Sequence, residues 1–158
     1  MIWRRVSCGF TLVELLVTVA IMAVLAMIAA PQFGPYLANQ RVKGTAQELV
    51  NDLQFARMES VQRNAAVTVT FSGTGYTVTN GGNTVKAVTL PAGSSISTGA
   101  TMIAVFDPVR ATATLTNGPD VIVANNKTSS TLRVSLSAMG RVSICSPGGA
   151  MKGFDICA

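Results

Sequence analysis

The stretch SCGFTLVELLVTVAIMAVLAMIAAP, residues 7–31, decides how the rest of the chain is read. Positions 10–30 hold 21 consecutive residues with a single ionisable side chain, Glu14. A helix of that length spans about 30 Å, the thickness of a bilayer's hydrocarbon core. A carboxylate within a spanning helix costs about 2.5–3.5 kcal/mol at the bilayer centre on insertion scales, so it normally has a partner or a function. Glu14 lies four residues after Phe10, near one end of the apolar run. Were the chain cut after Gly9, the new α-amino group of one copy could pair with the Glu14 carboxylate of its neighbour. The plainer alternative is an interfacial Glu with no partner. Arg4 and Arg5, ahead of the run, predict a cytoplasmic N-terminus and an exported remainder. A conventional secretory signal is the rival reading, but its apolar region is shorter and rarely carries a charge.

The chain has 158 residues, 49% of them apolar, and much of that excess falls in the first thirty. From about position 32 the composition turns to Thr, Ser, Asn and Gly with short β-branched runs. That suits one exported β-rich domain of about 115 residues, large enough for a modest core. There are three cysteines, Cys8, Cys145 and Cys157. Without Cys8 an even pair remains, separated by eleven residues that include Pro147, Gly148, Gly149 and Gly153. In an oxidising compartment the pair reads as a structural disulfide closing a small loop, at somewhat under ~3 kcal/mol on the chain-entropy model. A redox or zinc reading needs closer spacing or more ligands, and the chain has no histidine.

Pro31 and Pro35 flank Gln32-Phe33-Gly34, where the first helix is expected to kink or loosen. Helical pattern resumes in RVKGTAQELVNDLQFARMESVQRN, residues 41–64. Val42, Ala46, Leu49, Leu53 and Ala56 recur at spacings of four, three, four and three, with Val50 and Val61 beside the stripe. Gln47, Asn51 and Asp52 are expected to fall mainly off it. The stripe reads as a core face packed on a sheet. Arg41, Lys43, Arg57 and Arg63 are interspersed with Glu48, Asp52 and Glu59, which disfavours a membrane- or DNA-binding face.

Beyond Asn64 the period becomes two. In AVTVTF, Val67, Val69 and Phe71 share one face and Thr68 and Thr70 the other. Gly73-Thr74-Gly75 turns the chain into 76–79, and Asn80-Gly81-Gly82-Asn83 is a hairpin signal leading into 84–90. Further strands are expected at 102–106, 112–115, 120–123, 131–137 and 141–145. Strands following one helix give an α+β layout, helix against antiparallel sheet.

Catalytic patterns are not supported. Without histidine, Ser-His and Cys-His dyads and the common zinc sites cannot form. No phosphate-binding Gly-rich loop runs from a strand into a helix. Asn126-Lys127-Thr128 has the form of a glycosylation sequon, a short match that chance often supplies. The chain reads as a non-enzyme with no catalytic residue, metal or cofactor.

Three motifs carry a family resemblance. Gly9-Phe10-Thr11-Leu12-Val13-Glu14-Leu15-Leu16-Val17 resembles the class III signal of type IV pilins and type II secretion pseudopilins. Leu53-Gln54-Phe55-Ala56-Arg57-Met58-Glu59-Ser60 resembles the L-x-x-A-R-x-E-A run of the FimT/GspH/FimU group of minor pilins and pseudopilins, with Ser60 in place of the usual Ala. Gly140-Arg141, followed by a strand and Cys145, resembles a feature near the C-terminus of the same group.

The resemblance implies a leader at 1–9, a filament-core helix at 10–30, its kinked continuation at 31–63 and a β-rich head at 64–158. That is a pilin-like lollipop: a long N-terminal hydrophobic helix, then an antiparallel β-rich globular head. It further implies prepilin peptidase cleavage between Gly9 and Phe10, N-methylation of Phe10 and an assembly role for Glu14. The implied partners are other major and minor pilins in a helical filament. The implied location is the inner membrane, with the head in the periplasm, and then a pilus or pseudopilus.

Removing Arg4 and Arg5 with the leader brings the formal charge from +5 to +3, ten basic against seven acidic side chains. Within 121–158, Lys127, Arg133, Arg141 and Lys152 face only Asp155. These four are candidate contacts to double-stranded DNA, or else a solvated face or a face for acidic filament neighbours. In some competence-associated relatives a Gly-Arg-x-Arg motif is linked to DNA uptake, but here the second Arg is missing, as Gly140-Arg141-Val142-Ser143 shows. The expected function is a minor type IV pilus subunit in assembly or initiation. The alternatives are a GspH-like pseudopilin of type II secretion and a DNA-receptor pilin for competence.

Overall fold

The structure, a computed structural model, describes residues 10–98 and 102–157, leaving aside the side chains of 30–32. Gly9 of the expected cleavage site, Cys8, Arg4 and Arg5 lie outside the described residues. The chain divides into two compact units, Met1–Gly34 and Pro35–Ala158. Helix α1, Leu12–Arg63, contributes residues to both. The division falls at Pro35, which has no N–H to donate to the preceding turn.

In the second unit, α1 buries the stripe read from the sequence. Val42, Ala46, Leu49, Leu53 and Ala56 are all inaccessible, and Val50 is half-buried against them. Val61, placed beside the stripe by periodicity, is exposed instead. The helix ends on Asn64 in the left-handed region (φ 49°). There the N–H of Ala65 donates to the carbonyl of Ser60 (3.1 Å) and that of Asn64 to the carbonyl of Val61 (3.3 Å). This is a Schellman closure with Asn in the place glycine usually takes.

Nine strands follow among the described residues: β1 Val67–Ser72, β2 Gly75–Asn80, β3 Asn83–Thr89, β4 Ser94–Ser97, β5 Ile103–Phe106, β6 Ala113–Thr116, β7 Asp120–Asn125, β8 Thr128–Leu136 and β9 Val142–Cys145. They form two antiparallel sheets, one ordered β3-β2-β1-β5-β6 and the other β4-β7-β8-β9. The sequence left the strand order open and gave no sign of β4. That strand, SSIS, has one buried apolar residue, Ile96, which is too short a run for alternation to register. In β1, Val67, Val69 and Phe71 face inward as their alternation requires. The β2–β3 hairpin turns on Gly81 and Gly82, both at positive φ (56° and 86°), a combination that matches the right-handed twist of the paired strands.

One core lies between α1 and the inner faces of both sheets. Leu49 and Leu53 of the helix meet Phe71, Phe106, Met102, Leu132 and Leu136 there. Asp52, expected to fall off the stripe, is buried. Its carboxylate accepts from the Tyr76 hydroxyl of β2 (Oδ2, 2.6 Å) and the Lys86 ammonium of β3 (Oδ1, 2.7 Å). A buried charge persists only when paired in this way, and the pair ties the helix to the first sheet. Burial, then the hydrogen bond and charge of Asp52, push the Tyr76 hydroxyl well above its ordinary pKa.

Candidate functional site

Two regions hold the residues singled out by the sequence. The first is the start of α1. Thr11 caps the helix, its Oγ1 accepting the N–H of Glu14 at 3.2 Å. Thr-x-x-Glu is the spacing of a capping box, and an acid in the first turn suits the positive end of the helix dipole. Glu14 therefore stands where a helix tolerates a carboxylate best. From Leu12–Ala29 the helix has a mean hydropathy of 2.7 and no buried residue. Phe10 and Glu14 are exposed. Such a surface, apolar on every side, needs lipid or other apolar helices around it.

The second region is the head's basic set, two members of which stand at opposite ends of one strand. Lys127 sits in the tight β7–β8 turn, and Arg141 lies just before β9, which pairs with the far end of β8. Nine residues of β8 separate them, roughly 26 Å of strand. Arg133, in mid-β8, is half-buried and faces Asp120 of β7 (Nη1 to Oδ2, 3.7 Å). The other oxygen of Asp120 accepts from the Ser135 hydroxyl at 2.6 Å. Lys152 belongs to the C-terminal tail, where its carbonyl accepts from the Lys43 ammonium of α1 (3.1 Å).

That tail is closed by a disulfide between Cys145 and Cys157. Within the loop the N–H of Ser146 donates to the carbonyl of Asp155 (2.8 Å) and the N–H of Cys157 to that of Ser146 (3.3 Å). The Ser146 hydroxyl accepts the N–H of Met151 (2.9 Å), and the Met151 side chain enters the core. Lys43 also lies 5.8 Å from the centre of the Phe154 ring.

The two head motifs meet. Arg57 of α1 donates through Nε to the carbonyl of Ala111 (3.1 Å) in the β5–β6 turn. In that turn Asp107 Oδ1 accepts the N–H groups of Val109 (2.9 Å) and Arg110 (2.7 Å). Those two N–H groups, Arg110's first, hold the Asp107 carboxyl below its ordinary pKa. Gly140, at φ 72°, lies against the same place: a Cβ there would stand 2.8 Å from the Ala111 oxygen and 3.0 Å from Arg57 Nε. Only glycine fits both the backbone angle and the gap. The N–H of Ala113 donates to the carbonyl of Ala138 (2.8 Å), joining the β5–β6 turn to the 137–141 turn.

Beside this junction runs a groove of about 850 Å³, lined by Gln54, Arg57 and residues 137–142. Glu59 is buried and paired with Arg63. Ser60 is wholly buried, its hydroxyl donating to the Arg57 carbonyl (2.8 Å), so it fits where the motif usually has Ala. Sequence reading marked Arg57, Glu59 and Gly140 separately. The contacts of Arg57, Gly140 and Asp52 join positions too far apart in the chain for a local pattern to show, whereas Glu59 pairs within its own helix.

An exposed apolar N-terminal helix followed by an antiparallel β-sheet head defines a pilin-like subunit of α+β fold. Residues 4–30 match the prokaryotic N-terminal methylation motif. Residues 45–140, more than half the chain, match the family described as type II transport protein GspH, and the chain belongs to that family of minor pilins and pseudopilins. The family and fold are those of structural subunits, which are not enzymes. The fold is similar to the crystal structure of the type IV minor pilin FimU from Pseudomonas aeruginosa strain PAO1. That match has a TM-score of 0.54 at 20% identity, over 72% of this chain and 97% of that one. A second crystal form of FimU gives 0.50 at 20%, over 66% and 96%.

Proposed function

We propose that the chain is a minor subunit of a type IV pilus that acts in assembly or initiation of the fibre. In this reading prepilin peptidase cuts between Gly9 and Phe10, and Phe10 is N-methylated. The subunit waits in the inner membrane with its N-terminus cytoplasmic and its head periplasmic, and then joins a helical filament with other major and minor pilins. The observation that carries the reading is Leu12–Ala29, helical, apolar except for Glu14 and Thr18, and without a buried residue. Glu14 pairs with the α-amino group of a neighbouring subunit, which gives the exposed carboxylate a partner once the helix leaves the bilayer. Mass spectrometry of the mature chain should find N-methylated Phe10 first, and Glu14→Val should abolish entry into filaments. A mature N-terminus elsewhere, in cells with active prepilin peptidase, sinks the reading.

The match to a family described by type II transport favours a second reading, a pseudopilin of type II secretion. Deleting the gene separates the two: loss of pili and twitching supports the first, loss of protein secretion the second. A DNA receptor for transformation is the weaker reading, because Lys127 and Arg141 flank opposite ends of β8 and Arg133 faces Asp120. Salt-sensitive retardation of duplex DNA by the full chain, lost in Arg141→Ala and Lys152→Ala, would favour it over the assembly role.

A further inference from the structure

The end of the head where α1 stops carries a surface whose apolar members none of these roles uses. Met58, Val61, Val109 and Met139 are 61%, 51%, 83% and 80% exposed there. They are not scattered singly. Met58 and Val61 line a shallow groove with Arg57 and Ala111, and Arg57 also lines the adjoining groove with Met139 and Arg141. Val109 stands on the β5–β6 turn that Arg57 holds. Adjacent exposed apolar side chains of this size mark interaction sites.

The charges among them are mainly positive. Arg57, Arg110 and Arg141 surround the apolar groups, and among the described residues none of the three is in an ion pair. The nearby acid, Asp107, is held ionised by the N–H groups of Val109 and Arg110 and offsets one of the three positive charges, which leaves an excess of arginine. Methionine and arginine are the residues enriched at protein–protein interfaces, while lysine and the acids are depleted there. Nucleic-acid surfaces are built differently, from cations that meet phosphates and aromatics that stack on bases. Phosphate alone does not explain four exposed aliphatic and thioether side chains ringed by arginine. A second copy of the same face would set arginine against arginine.

We propose that Met58, Val61, Val109, Met139, Arg110 and Arg141 form the docking face for a different pilin subunit, which presents a carboxylate-bearing segment with apolar neighbours. This rests on the assembly reading above and adds the face and the chemistry of the partner. The Arg57–Ala111–Gly140 junction fixes the two turns that present it, so the face is preformed.

The test uses the full chain in cells that assemble filaments. A photo-crosslinking residue is introduced as Met139→benzoylphenylalanine, with Val85→benzoylphenylalanine on β3 as the control site. Illumination should join Met139 to another chain bearing its own N-terminal methylation motif, at a peptide containing Asp or Glu. That adduct should fall at least tenfold in Arg110→Glu/Arg141→Glu, while any adduct at Val85 stays within about twofold. All the substituted positions except Val85, which is partly exposed, are well exposed, and retention of the Cys145–Cys157 disulfide on a non-reducing gel checks the fold. Adducts to nucleic acid, lipid or a second copy, or no adduct from a chain that still enters filaments, overturn the docking face alone. Failure of the unsubstituted chain to enter any filament overturns the assembly reading with it.

Discussion

Leu16 and Leu53 lie on the same helix, α1, yet Leu16 is 62% exposed and Leu53 1%. Between 12 and 29 the apolar residues surround the helix on all sides. Between 42 and 56 they keep to one stripe, and Gln47, Glu48, Asn51 and Gln54 stay in solvent. The stripe has its cover within the chain, from Phe71, Phe106, Leu132 and their neighbours. The all-round segment has none, so its apolar surface must be removed from water by something outside the chain. Apolar content alone does not mark a core; its distribution around the helix tells which parts of α1 the fold completes and which an assembly completes.

The largest expected effect tests that division directly. Leu53→Ala should lower the unfolding free energy of the head by about 2–5 kcal/mol, through lost burial and a cavity. Leu16→Ala should leave it within about 0.5 kcal/mol, because the removed methyls have no partners in the chain. Urea unfolding of both variants in detergent, followed by the β signal in circular dichroism, reads the contrast. Equal losses would mean that the first segment is covered after all.

Next is the tail. Cys157→Ser should destabilise the head by about 2–3 kcal/mol, as loss of a native cross-link in a small exported domain does. Its particular mark should be local: with the loop open, Met151 leaves the core, and limited proteolysis should cut within 146–157 before the sheets. A tail that resists protease in the Ser variant would show that Ser146 and Met151 hold it without the disulfide.

How much of this was legible in the sequence depends on the range of the interaction. The stripe at Val42, Ala46, Leu49, Leu53 and Ala56, the alternation in β1 and the Asn80–Asn83 hairpin are set by neighbours within a few residues, and they read directly. Strand order is set by which distant strands share a core. So the insertion of β5 beside β1, and the departure of β4 to the second sheet, left no local trace. Asp52 misled for the same reason: its partners Tyr76 and Lys86 lie 24 and 34 positions away. Val61 failed differently. The stripe continues past Ala56 through Ser60, which is wholly buried, so Val61, one position further round the helix, faces solvent. Of the four basic residues grouped by composition, Lys127 and Arg141 lie at opposite ends of β8 and Arg133 faces Asp120.

Gly140→Ala tests whether the two head motifs are one structural unit. The left-handed backbone alone should cost about 1–2 kcal/mol, and the new Cβ would also press on the Ala111 carbonyl that Arg57 holds. We expect a total near ~2 kcal/mol, with faster hydrogen exchange in both the 107–112 and 137–141 turns. Changes confined to the second turn would separate the motifs.

The smallest effect concerns the buried polar tie that Asp52 makes between helix and sheet, a kind of contact the bare first part of α1 lacks among the described residues. Tyr76→Phe keeps the ring but removes the hydroxyl that donates to Asp52, and about 1–2 kcal/mol should be lost at neutral pH. The pH dependence has a fixed sign. In the folded head the Tyr76 hydroxyl is held above its ordinary value of 10.0, so the fold binds that proton more tightly than the unfolded chain does. The resulting stability is fully present below pH 10 and declines as pH rises beyond it, when the unfolded hydroxyl ionises first. The gap between the native chain and Tyr76→Phe should therefore narrow above pH 10, the other titrating groups being common to both. A gap that widens there would mean that the phenolate, and not the phenol, is the form the helix and sheet share.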